Sequence, residues 1–133
     1  MDPLERHLDD QFDASAYVRH TLTEVRKFNG KIFLAERKGK IVGCVAGIIP
    51  LPSKVDVLER YPSKDGKILE LIVSQSHRGA GVGLRLMKAM EKYFRSQKCK
   101  GISVECFAPN LPAHQFYKKA GYVDRLHLLL KLL

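Results

Sequence analysis

Apolar residues recur along this chain at helical spacing near its start, in short runs through its middle, and at helical spacing again after residue 80. In "LERHLDDQFDASAYVRHTLTEVRKF", residues 4–28, Leu4, Leu8 and Phe12, and then Val18, Leu22 and Val25, fall at steps of three and four. That spacing predicts two short amphipathic helices, with Asp13 and Ser15 as candidate caps between them. "KIFLAERKGKIVGCVAGIIP" is two apolar runs around Lys38-Gly39, a hairpin signal, and Pro50 ends the second strand. Residues 51–66 hold two prolines and a terminal Asp-Gly, the composition of a loop with room for one helical turn. Beyond them the pattern predicts a strand at "KILELIVSQ", an amphipathic helix over residues 80–97, a strand at "GISVECFAP", a short helix over 111–120 and a final strand at "YVDRLHLLLKLL". The long helix turns Leu84, Met87, Met90 and Phe94 toward a core and Arg85, Lys88, Lys92 and Arg95 toward solvent. Alternating strands and helices predict an α/β fold.

The length of 133 residues suits one domain, 1–133, and 45% apolar content suits a packed core. The stretch "MDPLERHLDDQF" carries charge throughout, unlike a secretory leader, and no apolar run approaches the ~20 residues of a membrane span. A soluble, cytoplasmic protein without a membrane partner is expected. Cys44, Cys99 and Cys106 are odd in number and lack metal-ligand spacing, which predicts reduced thiols, no disulfide scaffold and no metal. The net charge of +9 is unevenly distributed: residues 1–66 hold 11 Lys and Arg against 10 Asp and Glu, whereas residues 67–133 hold 12 against 4. The second half would draw a polyanion, a nucleotide cofactor or a nucleic acid. Nucleic acid is the weaker of the two readings, because the basic region has few interleaved aromatics and no recognisable nucleic-acid motif. Most of its lysines are read as solvated helix faces.

Within that half lies "HRGAGVGLRLM", residues 77–87, a glycine-rich segment that follows a predicted strand and opens a predicted helix. Backbone N–H groups at a helix start, uncovered by side chains, make a site for an anion. The segment is no Walker loop, since no Gly-Lys-Ser/Thr follows, and no dinucleotide fingerprint, since Leu84 stands where a third glycine or alanine belongs. What remains is Arg78-x-x-Gly81-x-Gly83.

That pattern resembles the acetyl-CoA loop of the GCN5-related N-acetyltransferases: Arg or Gln, two residues, Gly, one residue, then Gly or Ala. The resemblance extends to "ELIV" before the loop and "SVECFAPNLPAHQFYKKAGY" after it, covering residues 67–123, and more loosely to "ERKGKIVGCVAG". It implies the family's fold, a mixed, mostly antiparallel central sheet flanked by helices. Because this chain starts in a helical pattern, the usual first strand is expected to be lacking. The resemblance implies acetyl-CoA as acetyl donor, its pyrophosphate held by the amides of Arg78, Gly79, Ala80, Gly81, Val82 and Gly83. The pantetheine arm would lie along the main chain of Leu71, Ile72 and Val73, where that strand splays from its neighbour. Asn110 matches the family's pantetheine-binding asparagine and Tyr117 its tyrosine.

Acetyl transfer to an amine needs a neutral nitrogen, while a primary amine with a pKa near ~10.4 is charged at neutral pH, so a base must take a proton. Glu105 stands five residues before Asn110, where ribosomal-protein N-terminal acetyltransferases of the family carry their base. Glu70, on the preceding strand, is the second candidate, placed where polyamine-type members often have an acidic residue. Tyr117 is the candidate acid for the departing thiolate. His114 and His127 read as packing residues, and Cys106, on the opposite strand face from Glu105, is an unsuitable covalent nucleophile. The leading reading is an N-acetyltransferase acting on a small-molecule amine or protein N-terminus. A non-catalytic acyl-CoA-binding module of the same fold, or a basic nucleic-acid-binding protein, are the alternatives. Residues 51–66, with Glu59 and Tyr61, and the N-terminal helices are expected to wall the acceptor pocket. The apolar "LHLLLKLL" predicts either burial in the sheet centre or a homodimer contact.

Overall fold

The computed structural model describes residues 13–59 and 63–133, which fall into two compact units, one ending at Glu105 and the other comprising Cys106–Leu133. In the larger unit, helix α1 spans Ala14–Lys27, and the carboxylate of Asp13 caps it by accepting the Ala16 N–H at 2.9 Å. The helix expected over Leu4–Phe12 lies outside the described residues. Strands β1 (Lys31–Arg37) and β2 (Lys40–Ile48) form the expected hairpin. Its two turn residues, Lys38 and Gly39, both have positive φ, 50° and 76°, the handedness that matches the twist of the flanking strands.

The loop expected over 51–66 contains a six-residue helix, α2 (Lys54–Glu59), longer than one turn. A reciprocal cap explains it. The Ser53 hydroxyl accepts the Asp56 N–H at 3.0 Å, and the Asp56 carboxylate accepts both the N–H and the O–H of Ser53. Strand β3 runs Asp65–Val73, helix α3 Val82–Ser96 and strand β4 Gly101–Ser103. The sheet order is β1-β2-β3-β4, with the first two pairings antiparallel and β3–β4 parallel, so the expected mixed, mostly antiparallel sheet is present.

Helix α3 covers one face of this sheet, and Phe94, Met87 and Met90 bury their side chains completely against it along with Val45 of β2. Each such side chain contributes on the order of 1.5–3 kcal/mol of transfer free energy. The buried stripe is Val82, Leu86, Met90 and Phe94 at four-residue steps, with Met87 beside it. Leu84, expected in the core, is 40% exposed instead. At ~100° per residue it lies most of a half-turn from the line through Val82 and Leu86. Gly66 of β3 sits directly under Phe94, where a Cβ would fall 2.6 Å from the ring atoms, so the helix and sheet approach closely only because this position is bare.

Two further expectations are corrected. The strand expected at 101–109 ends at Ser103, because its pairing with β3 covers only Asp65–Lys67; Glu105 and Cys106 therefore lie beyond the strand. In the smaller unit, α4 (Leu111–Lys119) forms as expected, with Asn110 as its N-cap. The strand expected over 122–133 is absent, and Leu128 and Leu129 are about nine-tenths exposed, which also removes the expected burial in the sheet centre. Apolar composition alone does not make a strand, which exists only with a partner for its ladder groups. Among the described residues no helix is long and apolar enough to cross a membrane.

Candidate active site

The glycine segment links the end of β3 to α3. After Val73 the chain makes a short 3-10 turn, Gln75–His77, and the Arg78 side chain folds back so that Nε donates to the Val73 carbonyl at 3.0 Å, closing the base of the loop. Gly79 and Gly81 then adopt φ of 80° and 82°. The positive φ costs a residue with a Cβ about 1–2 kcal/mol. A Cβ added at either position would meet no atom within 4 Å outside the adjacent residues, so the Cβ side of both glycines is open. The first helical hydrogen bond of α3 runs from the Arg85 N–H to the Gly81 carbonyl. The amides of Val82, Gly83 and Leu84 consequently lack intrahelical partners, at the positive end of a 15-residue helix. Val82 turns its side chain into the core and offers only its backbone. The backbone N–H groups of residues 79–84 are thus without a backbone partner among the described residues, whereas that of Arg78, expected among the pyrophosphate-binding amides, already donates to the Gln75 carbonyl at 3.3 Å.

Ahead of the loop, β3 parts from β4 after Lys67; the Ser74 N–H bonds the Val42 carbonyl, so by alternation Ile72 turns its ladder groups to β2, while Leu71 and Val73 turn theirs to the β4 side, where the Val73 carbonyl accepts Arg78 Nε. The opposite side of β3 is paired with β2, and there the register slips: Gly47 opposes Ile68, but Ala46 opposes Glu70. Leu69 is the extra residue of a β-bulge. Opposed residues share a face, so Ile68 lies with Gly47 under α3, while Glu70 lies with Ala46 on the other face. Without the bulge, Ile68 and Glu70, two apart, would point the same way. The bulge therefore turns the Glu70 carboxyl out of the apolar core and toward α1, where it accepts the Tyr17 phenol. Burial raises the Glu70 pKa above the ordinary carboxylate value.

Glu105 differs in each respect. Its side chain is 85% exposed and pairs with Lys67 at 3.3 Å. Cys106 is exposed, and Cys44 and Cys99 are half-buried, with burial raising the pKa of both thiols.

In the smaller unit, Asn110 Oδ1 accepts the Ala113 N–H and Tyr117 packs edge-on against Phe116 and Tyr122 at 5.3 and 5.6 Å between ring centroids. His114 is held by Asp124 at 2.6 Å, and that contact, with a second from Lys118, lowers the Asp124 pKa. Of the expected acceptor-wall residues, Glu59 ends α2, and Tyr61 lies outside the described residues. The sequence reading missed Tyr17, which shows only as one aromatic residue on an amphipathic helix; its relation to Glu70 arises from a contact 53 residues apart.

A family model for the acetyltransferase (GNAT) family matches residues 2–122, and the chain belongs to that family. It is 32% identical over 94 residues to an uncharacterized N-acetyltransferase of Methanocaldococcus jannaschii, an alignment covering 70% of this chain and 53% of the relative. The matched region thus spans about half that relative's length. An N-alpha-acetyltransferase of Sulfurisphaera tokodaii is 25% identical over 123 residues, covering 88% of this chain and 68% of the relative. Among solved structures, the aminoglycoside N-acetyltransferase AAC(6')-Iy in complex with the bisubstrate analog CoA-S-monomethyl-acetylneamine superposes with a TM-score of 0.75 at 14% identity, over 93% of this chain and 82% of that one. The fold is that of this family.

Proposed function

We propose that this protein is an acetyl-CoA-dependent N-acetyltransferase whose acceptor is the amine of a small molecule or of a protein N-terminus. The observation that carries the reading is the open amide row at Gly79–Leu84, placed at the end of a strand that has parted from its parallel neighbour. Acetyl-CoA held there supplies the thioester acyl group that the amine takes. The loop amides bind and orient its pyrophosphate, and the ladder groups of Leu71 with the N–H of Val73 position the pantetheine arm as an added strand would be positioned.

Glu70 takes the proton from the attacking amine. Its burial brings its proton affinity closer to that of the amine than an exposed carboxylate's would be, and the Tyr17 phenol fixes its orientation. Glu105, exposed and engaged with Lys67, is the second candidate for this step. The family resemblance alone makes Tyr117 the candidate acid for the departing thiolate. The relatives' names support amine acetylation in general, and the strongly positive chain disfavours a polycationic acceptor. A panel of amines, including aminoglycosides, amino-acid amides and short peptides, tested with acetyl-CoA by release of free thiol, decides the point. Amine-dependent thiol release is expected. Tight acetyl-CoA binding with no turnover on any acceptor would favour a non-catalytic module.

A further inference from the structure

We propose that a cleft between the β1–β2 turn and the Ser74–His77 segment binds a phosphate-bearing small molecule distinct from the acyl donor. The cavity measures about 660 Å³, and its polar lining is Arg37, Lys38, Lys40, Ser74, Ser76 and His77. A volume in this range accommodates a ligand of nucleotide size. No carboxylate lines it. Among the described residues, Arg37, Lys38 and Lys40 make no ion pair.

The arrangement opposes the hairpin's own stability. Arg37 stands directly across the ladder from Lys40, and like charges in that position destabilise a strand pair. Lys38 occupies the first turn position at φ 50°, where Gly, Asn or Asp is favoured. Three cations thus gather around a two-residue turn without a counter-charge, and a bound dianion would relieve their repulsion.

The facing wall is held in place. His77 Nδ1 lies 2.8 Å from the Ser74 hydroxyl and 3.0 Å from that of Ser76, which fixes the ring, and the Ser74 N–H donates to the Val42 carbonyl at 2.8 Å, joining the two walls. The cleft is on the β2 side of β3, where Gly43 opposes Val73, whereas β3 opens from β4 on its other side. The same short segment, residues 74–83, therefore presents hydroxyls and an imidazole to the cleft and backbone amides to the glycine loop.

The test uses the full chain saturated with coenzyme A and titrated with inorganic pyrophosphate at about 0.15 M ionic strength, followed by backbone amide NMR. Saturable shifts are expected at Lys38, Gly39, Lys40, Ser76 and His77. The double variant Arg37→Ala/Lys40→Ala should weaken pyrophosphate binding at least about tenfold, as loss of charge-assisted contacts requires. Its melting temperature should hold or rise, since a like-charge pair is removed, and this separates lost binding from lost folding. Lys88→Ala/Lys92→Ala, on the exposed face of α3, should change the affinity less than twofold.

Several results would overturn the proposal. Shifts confined to residues 79–84, or absent, remove the cleft site. Equal weakening by the α3 variant reduces the effect to general charge. Tighter binding of a single-stranded oligonucleotide than of pyrophosphate makes the surface a nucleic-acid contact. If Arg37→Ala/Lys40→Ala weakens coenzyme A but spares dephospho-coenzyme A, the cleft holds the donor's own phosphate. Because the shifts are read residue by residue, they test the cleft even if the glycine loop fails to bind the coenzyme.

Discussion

Replacing Gly81 with alanine separates backbone strain from ligand contact at the glycine loop. Gly81 sits at φ 82° with no atom near its missing Cβ. The substitution therefore creates no clash in the free protein and costs only the left-handed conformation, about 1–2 kcal/mol, or a fall in melting temperature on the order of 4 °C per kcal/mol for a chain of this size. The new methyl stands over the amide row. If it displaces one charge-assisted hydrogen bond to the pyrophosphate, about 1.5–3 kcal/mol of binding is lost, which is about 10- to 150-fold in Kd for acetyl-CoA. Gly39 is a matched control, with φ 76° and equally open surroundings at the hairpin turn. Gly39→Ala should lower the melting temperature by a similar amount and leave acetyl-CoA affinity unchanged. Calorimetric titration of both variants, alongside thermal unfolding, reads the two effects separately. An unaltered Kd for Gly81→Ala, or an equal loss in Gly39→Ala, would refute the assignment of the pyrophosphate to this loop.

Other substitutions follow from the same geometry. Tyr17→Phe removes the phenol donated to Glu70, so the carboxyl pKa should rise further and the acidic limb of the rate–pH profile should move to higher pH, with a several-fold loss of kcat. Glu70→Gln should unfold at the same or a higher temperature than wild type at neutral pH. Burial raises the folded pKa, so between the ordinary and the raised value the native state holds more proton than the unfolded one, and stability falls as pH rises through that window. Gly66→Ala would push a methyl to 2.6 Å from the fully buried Phe94 ring and should cost about 1–3 kcal/mol in denaturant unfolding.

What the sequence reveals here is what short range determines. The Asp13 cap, the Lys38-Gly39 turn and the glycine segment opening α3 are each specified within about four residues by cap and turn chemistry, and each appears where the pattern places it. The face on which Glu70 lies is of another kind. Period-two alternation puts it beside Ile68, and only the slipped register against β2 turns it over; nothing in "KILELIVSQ" marks Leu69 as a bulge. Tyr17 becomes relevant only after that reversal. The overextended strand at 101–109 and the absent one at 122–133 fail for a related reason, since strand assignment from composition presumes a partner and β3 offers β4 only three residues. Leu84 shows the same limit in a helix: an apolar residue most of a half-turn from the stripe stays exposed when the helix phase is set by Val82, Leu86 and Met90.

The role of Glu70 as base is tested most directly by Glu70→Gln measured two ways in one preparation: equilibrium binding of acetyl-CoA, and single-turnover acetyl transfer to whichever amine the wild-type protein accepts. Glutamine keeps the shape and loses the base, so donor affinity should match wild type while the transfer rate falls by about 10²–10⁴-fold. A Glu70→Gln protein that binds acetyl-CoA and transfers the acetyl group at the wild-type rate would show that Glu70 is not the base.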